Sequence, residues 1–583
     1  MRQGTGVGFM KAYKGPYSKV NGAYGGIDDL GRALTTDASL PLPRENRSVG
    51  IFYYLAPGNH GLRGPYDNSK IVAAHPDATD SEEAWTAAGG GPRHADHHWG
   101  EPLFGYYSMH DEWVIRKHIQ MLTDAGVDYL IFDTTNAVTY DETALKVFRI
   151  LDEFYRQGIT NVPRAAYYTN SASGKTINHI YHHIYQKYPE YEHLWFRWDG
   201  RPLAIGHPDD PELEEEAKRF FRIKISYWPT EKRSSDDQWP WVEFGGIYSP
   251  DAVYGRNGRK EVISVSSAQH CYNVFSASAW YAERNRTKSY RRDTGENDPA
   301  EDAVLWGYNF ADQWKWAIEQ DPETVFVTQW NEWLAMRMDP MGGHPIVFVD
   351  LADPNNSRDI EPMRGGFGDN YYMQLCEFVR RYKGAPPRVE VGENTTISIG
   401  GDFSQWDSVT ACYRDYKRDT LPRDQQGFGE YHYTDNSGRN DFDLMKVARD
   451  EENIYFYVRT VDPITPPDRS WMTLFLRSGR AGNPNWHGFD YAVNRVLPGG
   501  KGAVIEACEG GWNWRTVGIA ELKTEGNQMM LRVPRNLIGA NEGLINLQFK
   551  WADNYTEDDI WSFYEKGDAA PIGRLTYVFR EAD

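Results

Sequence analysis

The stretch Val325-Phe326-Val327-Thr328-Gln329-Trp330-Asn331-Glu332-Trp333 joins an apolar run to a cluster of polar and indole side chains. Three consecutive apolar residues without alternation predict a strand buried on both faces, as in the parallel sheet of an α/β protein. The polar residues begin where that strand ends. In a (β/α)8 barrel the C-terminal strand ends carry the active site, so Asn331 and Glu332 are expected at its mouth. Trp330 and Trp333 would then offer flat apolar faces to pyranose C–H groups and indole N–H groups to hydroxyls. The alternative is a buried glutamate satisfied by its neighbours and two core tryptophans, at the expense of crowding many polar groups at one strand end.

Outward from this stretch the pattern repeats. Val49–Leu55, Asp128–Phe132, Arg164–Tyr168, Ile223–Tyr227, Glu261–Ser266 and Thr324–Gln329 read as strands, with further candidates at Pro202–Ile205 and Trp241–Gly245. Helices fall between them. Asp111 is a natural N-cap for a helix carrying Ile115, Ile119 and Leu122, stopped at Ala125-Gly126. A second helix runs from Asp141 to Gly158, and a last one from Asp369 to Tyr382. Strand–helix repetition gives a closed barrel or an open doubly wound sheet. No strand is followed by a GxGxxG or Walker-type loop, so the (β/α)8 TIM barrel is the expectation.

Beyond Ala385-Pro386-Pro387 the pattern changes to short alternating segments, Thr396–Ile399, Ile454–Val458, Met472–Leu476, Met529–Val533 and Ile545–Lys550, separated by turn residues. These predict an antiparallel β-sandwich. The organisation is therefore a barrel over residues 1–385, with a long loop over 56–110, followed by a sandwich over 388–583.

Composition narrows the partners. The 583 residues exceed one ordinary core, and 21 Trp with 37 Tyr suit stacking surfaces, which favours carbohydrate over phosphate ligands. A formal net charge of −20 argues against nucleic acid and anionic membrane surfaces as general partners. The four cysteines, Cys271, Cys376, Cys412 and Cys508, are too scattered for a disulfide framework and are expected as free thiols, with a Cys412–Cys508 bridge as the alternative. No apolar run reaches membrane-spanning length, and Met1–Lys14 lacks the apolar core of a signal peptide.

Cleavage of a glycosidic bond needs one carboxylic acid to protonate the leaving oxygen and a second group on the other face of the ring. The candidates at strand ends and following loops are Glu332, Asp133, Asp350 and Glu361. For Asp133 the competing reading is an anchor for the turn Thr134-Thr135-Asn136. Arg358 next to Asp359 reads as a structural ion pair or as a clamp for an anionic sugar. Tyr54, His60, His110 and His270, by loop position near the mouth, are candidate contacts to sugar hydroxyls. His94, His97 and His98 with Asp96 lack the frame of a metal site and read as a loop that is solvated or touches substrate.

Asn331-Glu332-Trp333 at a strand end, followed by Ile360-Glu361-Pro362 and a terminal helix, resembles the barrel of glycoside hydrolase family 99 and its WbsX-like relatives. Tyr53-Tyr54 and the joint Ala125-Gly126-Val127-Asp128 fit the same pattern, and the likeness covers roughly Val49 to Lys383. In that family the motif reads Asn-Glu-Trp-His-Glu-Gly, its first Glu acting as base through the sugar 2-hydroxyl and its second as general acid. Glu332 matches the first. Ala335 stands in place of the second, so the family's endo-α-mannosidase activity cannot be carried over, and the missing acid is expected from Asp133 first, with Asp350 and Glu361 close behind. The C-terminal part, with Ile399-Gly400-Gly401-Asp402-Phe403-Ser404-Gln405-Trp406 and Asn453–Val458, resembles a carbohydrate-binding module of family 9. The resemblance makes Trp471, Trp486, Trp512 and Trp514 candidate stacking residues, against a sandwich that only buttresses the barrel. It also implies a structural calcium, for which the sequence offers no EF-hand-like run; no organic cofactor is implied. The expectation is a secreted or periplasmic glycoside hydrolase acting on a poly- or oligosaccharide, with a non-catalytic glycan-binding protein on a degenerate barrel as the alternative.

Overall fold

Eight strands pair side by side in parallel, and their spatial order follows the chain: β1 Ser48–Tyr53, β2 Tyr129–Thr134, β3 Arg164–Thr169, β4 Arg201–Gly206, β5 Arg222–Tyr227, β6 Gln238–Pro240, β7 Val262–Val265 and β8 Thr324–Val327. Because β8 pairs with both β7 and β1, the sheet curls into a barrel that lacks a ladder only between β6 and β7. This computed structural model describes residues 22–37, 39–58, 64–228, 231–243, 247–269, 280–281, 285–349, 352–480, 482–497 and 502–581. Helices α1 Glu112–Asp124, α2 Asp141–Arg156, α3 Ser173–Ile180, α4 Glu215–Phe220, α5 Tyr308–Gln320 and α6 Asn370–Lys383 fall between or after the strands. Among the described residues no helix is long and apolar enough to cross a membrane.

Strand alternation divides the side chains into two apolar sets. Phe52, Ile131, Tyr168, Ile205, Trp239 and Phe326 fill the barrel interior, whereas Ile51, Tyr53, Leu130, Phe132, Val325 and Val327 pack outward with the helices. The interior leaves no room at Gly50, where a Cβ would lie 2.3 Å from the Tyr129 ring. At the β6–β7 gap, ionic contacts stand in for the missing ladder. Lys224 of β5 is buried and its Nζ lies 2.6 Å from Asp237 Oδ1, ahead of β6, while also donating to Glu261, ahead of β7. A buried ammonium needs such partners, and here they tie together the ends of two strands that share no backbone bonds.

The loop after β1 is structured rather than irregular. It carries short helices at Asn68–Ala74 and Glu82–Ala87 and a strand, Asp96–His98, that pairs antiparallel with Leu334–Met336 beyond β8. The backbone of one long βα loop is thereby satisfied by the end of another.

The C-terminal strands form one continuous antiparallel sheet that folds over on itself. In chain order they are β9 Cys412–Arg414, β10 Phe442–Arg449, β11 Asn453–Thr460, β12 Thr473–Arg477, β13 Tyr491–Val493, β14 Ala503–Gly510, β15 Asn513–Glu525, β16 Gln528–Pro534, β17 Asn546–Asp553, β18 Asp568–Ala570 and β19 Tyr577–Arg580. β15 belongs to both layers: up to Ala520 it pairs with β14, and from Glu521 it pairs with β16. Phe456, Met529, Leu531, Leu474 and Phe549 fill the space between the layers. Thr396–Ile399, expected as a strand, makes no ladder; Ile397 and Ile399 instead pack beside Trp406 and Tyr457. The expected stacking residues Trp471 and Trp486 are buried, and Trp512 and Trp514 lie half-buried against the same aromatic cluster as Trp486. Cys376, Cys412 and Cys508 are free thiols.

Barrel and sandwich share one apolar core. From the sandwich, Tyr416 packs edge-on to Phe154 of α2 at 5.0 Å and donates to Asp124 at the end of α1 at 2.9 Å. Arg423 donates to Asp111, the N-cap of α1, at 2.8 Å and lies over Trp113. Arg574 and Tyr564 both bind Asp369, ahead of α6. A hairpin, Arg423–Gln426 with His432–Asp435, leans onto the loop after β1, where Tyr433 Oη accepts from Tyr106 N at 2.7 Å. Its tip approaches so closely that a Cβ on Gly429, at φ +61°, would meet the Gly64 carbonyl at 1.8 Å.

This interface strands at least three acidic groups, Asp111, Asp124 and Asp369, if the sandwich is removed. A chain ending at Lys383 is expected to aggregate or bind a hydrophobic dye while the full chain stays soluble. A monomeric, cooperatively melting barrel would show that these contacts are dispensable.

Candidate functional site

At the C-terminal ends of the strands the same alternation places two groups inside the mouth. Phe52 and Ile131 point inward, so Tyr54 and Asp133, two residues further on, do as well. Tyr54 is fixed through its backbone, since its N–H donates to Asn331 Oδ1 at 2.9 Å and its carbonyl accepts from Asn331 Nδ2 at 3.1 Å. Asn331 thus splices the end of β1 to the end of β8. It is buried and serves the scaffold.

Glu332 is the best-placed carboxylate of the expected set. Its side chain retains 13% exposure, and Oε2 lies 3.7 Å from the Arg358 guanidinium. Its backbone N–H donates to Asp359 Oδ1 at 2.5 Å. Arg358 is itself buried, donates to Gln329 Oε1 at 2.7 Å and sits 4.5 Å over the Trp241 ring. The Tyr54 hydroxyl is pushed well up, first by burial and then by the negative charges of Glu332, Asp96 and Asp133. Tyr140 is raised by burial and by the same three acids, opposed by a hydrogen bond with Asn136. Two tyrosines and three carboxylates therefore share one field at the mouth.

Asp96 is the member that sequence reasoning missed. It was visible only as a companion of the loop histidines, because its strand pairs through tertiary contact: Asp96 lies across from Met336, His97 from Ala335 and His98 from Leu334. Of the histidines themselves, His94 is exposed, 3.6 Å from Asp339, and the other two are packing residues. His97 is buried, stacks on Tyr66 at 4.9 Å and accepts from Gly91 N, while His98 lies edge-on to Tyr106 and Phe428. Ala335 is buried with Trp85, Ile346 and Phe348, away from the mouth. Trp228, following β5, and Trp241, following β6, pack together at 5.3 Å and form an aromatic wall at the barrel mouth.

Several expected contacts take other roles. Trp330 is fully buried, edge-on to His118 at 5.8 Å, and Trp333 is 3% exposed with its face stacked on Trp99 at 4.1 Å. Neither ring offers a face to a sugar; once β8 stops, the chain leaves the pleat and turns both indoles into the packing. Glu361 is likewise fully buried. It accepts from Tyr107 Oη at 2.7 Å, from Trp333 Nε1 at 2.5 Å and from His118 Nε2 at 2.9 Å, and His118 Nδ1 takes the Tyr53 hydroxyl at 3.0 Å. With indole and phenol donors aimed at it, Glu361 is an acceptor inside the scaffold and not a group open to substrate. Burial, reinforced by Glu361, pushes the Tyr53 and Tyr107 hydroxyls well up and keeps them donors. Asp133 Oδ1 accepts from Thr135 N and Oγ1 at 2.9 and 2.8 Å, so it anchors its own turn while facing the mouth. His110 lies at the rim, 3.9 Å from Glu142. His60, His270 and Asp350 lie outside the described residues.

No known family profile matches the chain, and no curated protein does. Solved structures similar to parts of it include the family 99 endo-α-mannosidase of Bacteroides thetaiotaomicron. That enzyme alone is 16% identical, covers 57% of this chain and 97% of its own, and gives a TM-score of 0.36. Its complex with BIS-TRIS-propane gives 14% identity over the same shares and a TM-score of 0.37. A family 9 carbohydrate-binding module from Caldicellulosiruptor kristjanssonii in complex with glucose is 10% identical over 33% of this chain and 85% of its own, at a TM-score of 0.17. Likenesses this remote decide neither chemistry nor ligand.

Glu361→Gln replaces an acceptor with an amide whose N–H groups face the donors of Tyr107, Trp333 or His118. The expected loss is about 3 kcal/mol, read as a lower denaturant midpoint at unchanged slope. An unchanged midpoint would remove Glu361 from the scaffold.

Proposed function

We propose that the protein is a glycoside hydrolase acting on a poly- or oligosaccharide, with Glu332 as base or nucleophile and Asp96 as general acid. The observation that carries this reading is the convergence of Glu332, Asp96 and Asp133 on Tyr54 and Tyr140 at the mouth of a parallel barrel. Glycosidic cleavage requires two carboxyl groups addressing a bond from different sides, and these three arise from separate segments: the end of β8, the arm over Asp96–His98, and β2. Asp96 is assigned the proton because it comes from a separate arm, and Asp133, which anchors Thr135, is assigned to sugar hydroxyls or to charge developing on the ring. Arg358 supplies the countercharge beside Glu332. Half-buried Trp228, backed by the buried Trp241, takes the place of Trp330 and Trp333 as the apolar platform. A substrate of this kind accords with a secreted or periplasmic location.

A second reading, a glycan-binding protein without turnover, is favoured by one feature: Ala335, where an acid would continue the Asn-Glu-Trp motif, is buried in an apolar cluster. The arm that pairs with Ala335 carries its own acid, which is why we prefer the enzyme.

Digestion of a glycan library with product mass spectrometry separates the two, since only an enzyme releases reducing ends at a rate proportional to its concentration. On a substrate so found, Glu332→Gln is expected to lower turnover by at least ~10²-fold with binding retained. Asp96→Asn is expected to abolish cleavage of poor leaving groups and to spare an activated aryl glycoside, while Asp133→Asn lowers both alike. The reverse pattern would move the acid to Asp133. Unchanged turnover in Glu332→Gln would overturn the mechanism.

A further inference from the structure

Between Arg284 and Arg292 the chain places five basic residues in nine and no acid, within a molecule of formal net charge −20. Two of the five are engaged: Lys288 donates to Ser357, and Arg291 pairs with Asp293 and Asp298. Arg286 and Arg292 make no ion pair among the described residues, and Arg286 Nη1 is buried without a hydrogen bond. Arg292 lies 4.2 Å over the ring of Tyr248, which follows β6 and packs edge-on to Trp316 of α5 at 6.0 Å. Tyr248 holds a left-handed backbone, φ +67°, which a bulky residue adopts only under constraint, and its hydroxyl is buried without a partner. Burial, then the charge of Asp312, pushes that hydroxyl up against the pull of Arg286 and Arg292, so it stays a donor. Asp312 is itself occupied, by Lys315 Nζ at 3.1 Å and Arg292 N at 3.3 Å.

Gln269 gives an independent sign. It is 3% exposed and stands opposite Arg286 in an isolated antiparallel bridge, its N–H on the Arg286 carbonyl at 2.7 Å, so the two side chains share one face. A relay of amides fixes which way its carboxamide is turned. Ser266 N–H donates to Gln313 Oε1 at 3.0 Å, Gln313 Nε2 to Asn309 Oδ1 at 2.8 Å and Asn309 Nδ2 to Gln269 Oε1 at 2.9 Å. The backbone donor at the head of that relay leaves Gln269 Nε2 as its last group, and it is buried with no acceptor. A buried donor left unsatisfied is destabilising. Three of them, from Tyr248, Gln269 and Arg286, call for the same remedy, an acceptor from outside the chain.

We infer that Tyr248, Gln269 and Arg286, with Arg292 over the Tyr248 ring, form a site for an oxyanion, a sulfate, phosphate or carboxylate group, on the shoulder of the barrel mouth. A guanidinium, an amide and a phenol all offer hydrogens, and the planar guanidinium suits two oxygens of one anion. The place in the fold points to the source. Tyr248 and Gln269 follow the C-terminal ends of β6 and β7. Ser267, two residues before Gln269, donates to the carbonyls of Ser357 and Arg358, and Arg358 stands beside Glu332. The anion is therefore a charged substituent, a sulfate ester or a uronate, on a glycan that reaches the mouth. This source rests on the proposed hydrolase reading, whereas the oxyanion site stands without it.

The first arm of the test compares sodium sulfate with sodium chloride at equal ionic strength on the full chain. At about 100-fold excess over Kd, sulfate is expected to raise Tm by about 3 °C beyond chloride, and Arg286→Gln and Gln269→Leu to lose that gain. Tyr248→Phe, which removes only the hydroxyl, is expected to lessen it while leaving Tm in chloride unchanged or higher, and carries the test if the other variants fail to fold. A gain equal in the parent and in Tyr248→Phe is an effect of sulfate on the solvent and, like no gain at all, would overturn the site. The second arm finds the source by titrating oligosaccharides of chondroitin sulfate and of polygalacturonic acid, beside inorganic sulfate, into the Glu332→Gln protein, where cleavage does not intervene. One oligosaccharide is expected to bind at least ~10-fold tighter than inorganic sulfate, and adding Arg286→Gln to remove the difference. Affinity no better than that of inorganic sulfate assigns the site to a free anion and overturns the glycan source. Both arms read binding, so absence of cleavage with the sulfate gain intact overturns the hydrolase reading alone, and cleavage without the gain overturns the oxyanion site alone.

Discussion

The carboxylate of Glu361 is the constraint on which the mouth depends. A buried charge without partners is costly, and breaking a buried pair typically costs 3–5 kcal/mol, so the chain is obliged to bring donors to it. Those donors come from different places: Tyr107 from the loop after β1, His118 from α1 and Trp333 from beyond β8. Tyr53 on β1 completes the set through His118. One group therefore fixes the relative positions of four segments, and Glu332 is the immediate neighbour of Trp333. Glu332 is held from behind by the same logic, its side chain beside Arg358 and its backbone N–H on Asp359.

The sandwich extends this scaffold. Arg423 meets the N-cap of α1 and Tyr416 meets its last turn, so the helix that carries His118 is clamped at both ends by residues of the other domain. The hairpin that contains Arg423 also leans on the loop that delivers Tyr107. Glycan recognition by the sandwich itself finds little support in its tryptophans, of which Trp471 and Trp486 are buried. Its visible role is mechanical: it shapes the wall and supports the helix behind the mouth.

The barrel was legible because its signal is local. Val325, Phe326 and Val327 are buried on both faces as their unbroken apolar run demands, and β1, β2, β3 and β5 lie where apolar strands alternate with capped helices. β15 was not legible, because much of it is exposed and its pairing switches layers midway, so no single period marks it. Asp133 followed from its place at the end of a complete apolar strand. The indoles misled because Trp330 and Trp333 lie beyond the last strand residue, where periodicity no longer says which way a side chain turns.

The sequence by itself determined the fold class, the change to short strands after the Pro386-Pro387 joint, and the presence of Glu332 and Asp133 at strand ends, since each rests on spacing along a few residues. Only the tertiary structure decided which acids meet. Asp96 reaches the mouth through pairing with Leu334–Met336, and Glu361 is withdrawn from it by three donors distant in the chain. Burial and charge pairing are properties of space, and chain separations of this size carry no local pattern from which they can be read.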